Sequence, residues 1–468
     1  VGIQPEAAGA AKDGDPPSGT PAPQVLGSPR DHRTRREDAV PPRTARRHRQ
    51  GAESRERILD VALEIAAERG YDGTTLALVT ERSGLPASSV YWHFKNKDAL
   101  LAEVLEHSYR QWRQGEDAYR ASDGGDVRAR FRTRFDRVRA GMSDRPEFWR
   151  LGLTLALLSG DQQIAARDRF LEVRQDTIDA TLVWARGVLG ADAVSRHPEL
   201  PVLLTQFVMA AGDGLFMSTQ IDSRWPVGRI TEALGRATGD VAVRLAAEPA
   251  PRRRRKPRPL PVPVGTPAPE DSRERLLWAA GRVAAQRGYV GTTISKVCAE
   301  SGLPVSSVYW YFEDKDALLA AVVQSSWESW IEHQPQWLPA RGAEQRDEQL
   351  RRILREGTRS FVGAPDFLRV GHGVSLARQE EETAARRLFL SIRRDTEKMV
   401  SAWFLASFAG SDVEGDKALA TLVARIVIAV TDGLFLAEQI DSWEWDLDAV
   451  VDVLVEVIES VVAAATPR

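Results

Sequence analysis

The chain is written twice. Ser54-Arg-Glu-Arg recurs as Ser272-Arg-Glu-Arg, Gly70-Tyr71 as Gly288-Tyr289, and Gly73-Thr74-Thr75 as Gly291-Thr292-Thr293, all 218 positions on. Ser88-Ser89-Val90-Tyr91-Trp92 returns as Ser306-Ser307-Val308-Tyr309-Trp310 at the same offset. Later landmarks return one residue further on: Arg174 as Arg393, Asp213-Gly214-Leu215-Phe216 as Asp432-Gly433-Leu434-Phe435, and Gln220-Ile221-Asp222-Ser223 as Gln439-Ile440-Asp441-Ser442. A period near two hundred residues is far too long for a solenoid repeat, so it marks duplication of a whole folding unit.

Composition sets the boundaries. Residues 1–50 are rich in Gly, Pro, Ala and Arg without apolar period, and read as a disordered basic tail. Residues 247–270 hold many prolines and a second basic cluster, and read as a semi-rigid linker. The copies are then 51–246 and 271–466. In each, a head (51–100 and 271–318) precedes a larger helical domain (101–246 and 319–466). Hydrophobic residues make up 43% of the 468, enough for real cores. The single cysteine, Cys298, excludes a disulfide framework and a cysteine-built zinc site, and fits a reducing cytoplasm. No apolar run approaches the ~18 residues that a membrane helix needs; the best candidate, Leu151–Leu158, is too short.

The apolar period is helical throughout. Ile58, Ala62, Ile65 and Ala66 share one face of a first helix, as do Leu276, Ala280, Val283 and Ala284, with Ser54 and Ser272 expected as N-caps. Further helices are expected at 97–120, 126–142, 146–159, 162–189, 199–221 and 227–246, with counterparts in the second copy. No stretch alternates at period two, so the fold class is all-α.

The segment from Thr74 to Phe94 reads as helix, tight turn, short helix. Thr75 can cap the first helix, Gly84 can take the positive φ of the turn, and Pro86 can open the second helix. Val90 and Phe94 then face the core, leaving Ser88, Ser89 and Tyr91 outward. Small hydroxyls with one tyrosine suit a major groove, and an uncapped helix start can receive a phosphate. The net charge of −3 argues against a nucleic-acid binder only until its distribution is examined. Arg33, Arg35, Arg36, Arg43, Arg46, Arg47 and Arg49 precede the first head, and Arg252, Arg253, Arg254, Arg255, Lys256 and Arg258 precede the second. Such clusters solvate linkers in many proteins; before a DNA-binding head they can also serve as arms on phosphates or in the minor groove.

These motifs resemble the N-terminal domain of the tetracycline-repressor (TetR) family of bacterial regulators. The resemblance is carried by Gly70-Tyr71, Gly73-Thr74-Thr75, Ser83-Gly84-Leu85-Pro86, Tyr91-Trp92-His93-Phe94 and Lys97-Asp98-Ala99-Leu100-Leu101, and by the same motifs in the second copy. It implies two TetR-like units, each a helix-turn-helix head with a helical regulatory and dimerisation domain. It also implies double-stranded DNA as partner. Thr75 and Thr293 would cap the second helix and touch a phosphate. Ala87, Ser88, Ser89, Tyr91, Trp92 and His93, with Val305, Ser306, Ser307, Tyr309, Trp310 and Tyr311, would lie on the DNA side. Lys97 and Lys315 would anchor to the DNA backbone, and Lys296 would add a contact in the second head alone. Pro86 and Pro304 stand where many members place a capping serine, and Val79-Thr80 and Val297-Cys298 replace the usual Ile-Ala.

Family dimers read two half-sites, so the simplest expectation is a pseudo-dimer within one chain, paired through the Asp-Gly-Leu helices and the long helices at 162–189 and 381–407. A linker of some 20 extended residues spans roughly 60 Å, which is ample. Pairing between two chains is the rival arrangement. The resemblance further implies a repressor released by a small apolar effector. Trp112, Trp149, Trp184, Trp327, Trp330, Trp337 and Trp403 are available as aromatic lining or as core, and His372 and Gln379 as polar contacts. Among these, Trp149, Trp184, His372 and Trp403 are the ligand candidates. Histidines lack metal-ligand spacing, and no phosphate loop, dinucleotide fingerprint or nucleophile elbow is present, so neither enzyme nor cofactor chemistry is expected. An architectural or ligand-independent DNA-binding protein is the alternative.

Overall fold

The computed structural model describes residues 43–120, 125–144, 146–158, 164–249, 267–338, 343–360, 366–377, 382–408, 413–441 and 445–465. Among them every regular element is a helix. The first half comprises α1 (Arg43–Gly73), α2 (Leu76–Ser83), α3 (Ala87–His93), α4 (Lys97–Arg120), α5 (Val127–Asp144), α6 (Pro146–Ala156), α7 (Ala165–Leu189), α8 (Ala191–Arg196), α9 (Leu200–Ile221) and α10 (Val227–Ala247). The second comprises α11 (Ser272–Gly291), α12 (Ile294–Ser301), α13 (Val305–Tyr311), α14 (Lys315–Ile331), α15 (Ala343–Arg359), α16 (Asp366–Leu376), α17 (Ala384–Phe408), α18 (Val413–Ile440) and α19 (Leu447–Ala465). The halves match helix for helix except that α18 stands where the first half has both α8 and α9. Pro198 and Pro201 interrupt the first half there, and Lys417 and Ala420 take their places in the second.

Three expectations change. The helix α1 begins at Arg43, inside the stretch expected to be a tail, so Ser54 is an interior residue whose hydroxyl donates to the Gln50 carbonyl at 2.8 Å. Ser272 is the first residue of α11, and Asp271 is the cap, accepting from the Glu274 N–H. Two helices are also long and apolar enough to cross a membrane, Leu200–Ile221 and Gly415–Ile440, against the expectation that no apolar run approaches that length. Both bury most of that surface inside the protein, where they form its centre.

That centre is the packing of α9 on α18. It is closest at the repeated Asp-Gly-Leu-Phe. A Cβ on Gly214 would lie 1.6 Å from the Ala429 carbonyl oxygen, and one on Gly433 would lie 1.8 Å from that of Ala210. Only glycine allows two backbones so near, which explains why both copies hold it. Around the crossing, Phe207, Leu215 and Phe216 meet Val430, Leu434 and Phe435 in one continuous buried core. The α10 and α19 helices pack alongside, so the two halves share a four-helix interface.

Buried charge also ties the halves together. Arg174 on α7 reaches Asp213 of its own half at 2.7 Å and grips Asp441 of the other half through two nitrogens. All three side chains are almost fully buried. Although burial disfavours its charge, the two carboxylates hold Arg174 well above its ordinary pKa. Asp213 is pushed up, by burial first and by its neighbour Asp441 as well.

Candidate nucleic-acid interface

Each head is built by its own small polar residues. The buried Thr74 hydroxyl donates to the Gly70 carbonyl at 2.8 Å, and Thr292 repeats this on Gly288 at 2.7 Å. The next threonine caps the following helix: Thr75 Oγ1 accepts from the Leu78 N–H at 3.2 Å and Thr293 Oγ1 from the Lys296 N–H at 3.3 Å. Gly84 and Gly302 close α2 and α12 at φ +66° and +72°, the left-handed turn where a Cβ costs most. The third helices start one residue later than expected, with Pro86 and Pro304 as N-caps and no side chain bonded to the helix start.

On those helices Val90 and Val308 are fully buried, and Phe94 and Phe312 nearly so. The opposite face is exposed. Tyr91 and Tyr309 are 57% and 58% exposed, and Trp92 and Trp310 are 80% and 82% exposed. Aromatic rings left in water to this extent, in matching places on two heads, are an unpartnered surface. Ala87, Ser88, Val305 and Ser306 are exposed beside them, and Ser89 and Ser307 are half-buried. His93 is half-buried against Trp92, whereas Tyr311 is exposed. Burial, and then the charge of Arg55, pushes His93 below its ordinary pKa, so the ring is neutral at pH 7.

The lysines face partly inward. Lys97 donates to the Tyr71 carbonyl at 3.0 Å with its ammonium 4.1 Å from that ring, and Lys315 does the same at Tyr289, at 3.2 Å and 4.3 Å. Lys296 donates to the Gly291 carbonyl at 2.6 Å, closing the last turn of α11. Any bond to DNA from these three would have to share or exchange those partners. Arg46, Arg47 and Arg49 fall on the α1 backbone, but their side chains lie outside the described residues, as do Arg252, Arg253, Arg254, Arg255 and Lys256 entirely.

The repeated Lys-Asp motif carries a connection that spacing alone could not show. Asp98 accepts from the N–H groups of Ala165 and Ala166 at 3.1 and 3.4 Å, capping α7 from another helix. Asp316 caps α17 in the same way through Ala384 and Ala385. Each head is thus bonded to the long helix of the larger helical domain that follows it.

The larger helical domain of the second half holds a pocket open to solvent, with about 100 Å3 of room for water, between α14, α15, α16, α17 and α18. Trp327, Trp330 and Trp337 line it, with Phe367, Met399 and Val400; Arg393 and Asp432 form an ion pair in its wall. Of the ligand candidates, Trp403 packs edge-on against Trp337 and donates to the Leu338 carbonyl. His372 is fully buried behind Asp432, 3.6 Å away. Trp149 and Trp184 are half-buried in the first half, on Phe216 and Phe131 respectively. Gln379 and the side chain of Trp112 lie outside the described residues. Sequence reasoning did not single out Arg393 or Asp432 as cavity residues; both were visible only as repeat landmarks.

Comparison with known proteins agrees with this geometry. The family of "bacterial regulatory proteins, tetR family" matches twice, over 58–104 and 276–322, the two heads. The regulator AcrR of Shigella flexneri is 37% identical over 83 residues, 18% of this chain and 39% of that protein. The class D tetracycline repressor of Escherichia coli is 40% identical over 62 residues, 12% of this chain and 28% of that protein. These matches thus cover less than two thirds of either relative. The transcriptional repressor Rv1353c of Mycobacterium tuberculosis is 25% identical over 240 residues, taking in 91% of that protein and 43% of this chain. A whole relative therefore corresponds to less than half of this chain, as a duplication requires. The chain carries two N-terminal domains of the tetR family of bacterial regulatory proteins in tandem.

Proposed function

We propose that the chain is a sequence-specific DNA-binding transcriptional regulator, acting in the cytoplasm as a covalently joined pseudo-dimer. One observation carries the reading. Two heads present the same exposed serine, tyrosine and tryptophan (Ser88, Tyr91 and Trp92; Ser306, Tyr309 and Trp310), and the helices behind them are packed together at Gly214 and Gly433 within one chain. Helix-turn-helix dimers read half-sites about 34–36 Å apart, one turn of the double helix. A single chain supplies both readers here. The tryptophans, tyrosines and serines of α3 and α13 meet base edges and phosphates, and Thr75 and Thr293 stand at phosphate depth. The basic segments before each head add contacts that do not depend on sequence.

A fused pair is free to diverge, as a homodimer is not. The reading helices differ at Ala87/Val305 and His93/Tyr311, and the helices before them at Leu78/Lys296. The operator is therefore two similar half-sites rather than a perfect palindrome. Repression released by an effector is the regulatory half of the proposal. The cavity touches α14, which continues from the second head, and α17, whose start Asp316 caps. A mainly apolar, ring-bearing ligand among its tryptophans would move both.

The test is selection of bound fragments from genomic DNA with the purified chain, followed by titration at several salt concentrations. Enrichment of paired half-sites, lost on Tyr91→Ala with Tyr309→Ala, is expected. Equal binding to all sequences would instead make the protein architectural.

A further inference from the structure

One buried side chain of the second half has no task in the packing. His372 on α16 is fully buried, and neither ring nitrogen has a hydrogen-bond partner. Phe389 of α17 and Phe435 of α18 flank it edge-on, at 5.6 and 5.3 Å between ring centres. Its Nε2 lies 3.6 Å from one Asp432 oxygen, too far for a hydrogen bond. The other Asp432 oxygen holds Arg393. In the first half the same position is Leu153, which is also buried. An apolar residue therefore suits this core, and a polar one left unbonded is destabilising. The reason for a histidine has to lie outside packing.

Its neighbours supply one. Arg393 and Asp432 both line the tryptophan-lined pocket. The counterpart Arg174 is gripped by Asp213 and Asp441, and to change partner it would abandon two buried carboxylates. Among the described residues Arg393 is paired with Asp432 alone, and Asp432 has His372 in reserve. On taking up a proton the imidazole becomes a cation able to hold that carboxylate. On α16 itself Asp366 starts the helix and Arg369 is turned to Gln439 of α18. No ionisable group of α6, α9, α11 or α14 is paired with the ring.

We propose that the pocket binds a small apolar acid, whose carboxylate takes Arg393 from Asp432 while His372 takes up one proton from solvent and closes on Asp432 instead. Charge balances throughout. One ion pair becomes two, ligand carboxylate with Arg393 and imidazolium with Asp432, and the buried wall stays neutral. Trp327, Trp330, Phe367 and Val400 take the apolar body. The room of about 100 Å3, against about 150 Å3 in a dry cavity that takes benzene, calls for a body smaller than benzene. The effect of this acid on DNA rests on the proposed function; its binding does not.

The test is titration of the full chain, without DNA, with cyclobutanecarboxylate at pH 7.5 and 8.5, followed by tryptophan fluorescence. Cyclobutanecarboxamide and cyclobutylamine are the uncharged and cationic controls. The acid is ionised at both pH values, so a change in its affinity reports a proton taken up by the protein. Binding should be three- to tenfold weaker at pH 8.5. Both controls should bind at least tenfold more weakly than the acid at pH 7.5. Arg393→Met should remove binding of the acid. His372→Leu, which copies the first half, should weaken it at least tenfold and remove the pH dependence. His372→Gln can donate to Asp432 without a proton, and should regain affinity but not the pH dependence. Burial pushes Glu459 up to about 7, and a dependence that came from it would survive both His372 variants. Circular dichroism establishes that each variant folds; if His372→Leu does not, His372→Gln decides. The proposal is overturned if the acid does not bind, if either control binds as tightly, or if the pH dependence is absent or persists in the folded His372 variants.

Discussion

The two halves place the same arginine in different company. Arg174 is sealed between Asp213 and Asp441, one carboxylate from each half. Its counterpart Arg393 pairs with Asp432 at the edge of the cavity. The carboxylate equivalent to Asp441 is Asp222, which is held instead by Arg224 and, at 3.4 Å, by Arg394. Arg224 in particular drives the Asp222 carboxyl below the usual range. The first half thus spends its arginine on joining the halves, and the second leaves its arginine facing open volume. Fusion permits this, since the two copies of a homodimer must hold the same residues and no such division can be encoded.

Arg174→Met is expected to give the largest effect. It leaves Asp213 and Asp441 buried without their cation and should cost about 3–5 kcal/mol. Arg393→Met, beside a cavity and with His372 still next to Asp432, should cost about 2 kcal/mol. Chemical denaturation of both variants measures the difference, and equal losses would break the comparison. Gly214→Ala and Gly433→Ala come next. Each drives a methyl into a facing carbonyl, and a loss of about 1–3 kcal/mol is expected from either. Thr75→Ala and Thr293→Ala should each cost about 1 kcal/mol, and nearly the same amount, because the two caps are alike.

The smallest effect is a pH dependence confined to one half. Arg128 on α5 pairs with Asp240 on α10 in the first half. The equivalent positions in the second are Asp347 and Glu459, two acids, with Arg346 bonded to Glu459 at 2.7 Å. Burial, and then Asp347, pushes Glu459 up to about 7. The folded state therefore binds this proton more tightly than the unfolded chain. Stability from this site rises as pH falls from about 7 toward the ordinary glutamate value near 4.5, and is lost above about 7. Glu459→Gln should raise the melting temperature at pH 8 and change it little at pH 5. Asp240→Asn should lower it at pH 8, because it breaks an attractive pair.

Much of this was legible in the sequence, for physical reasons. The head depends on local residues: a threonine capping three residues on, a glycine in a left-handed turn, a valine and a phenylalanine four apart. Short-range chemistry of that kind is written in spacing. The exposed faces of α3 and α13 follow from it directly. The Asp98 cap on α7, the Arg174 bridge to Asp441 and the Arg393 wall join residues far apart in the chain. No local pattern sets them, although the repeat marked each as kept twice. Ser54 misled because a cap followed by acid is only a local preference, and the helix continues through it. The bond from Lys296 to the Gly291 carbonyl was not legible either: it joins the end of a long side chain to a backbone oxygen of the preceding helix, which no spacing specifies.

The most direct measurement is the mass of the protein–operator complex. Native mass spectrometry of the chain with a selected duplex should give one chain per duplex, and footprinting should show two protected half-sites one turn apart. Two chains per duplex, each using one head, would contradict the pseudo-dimer.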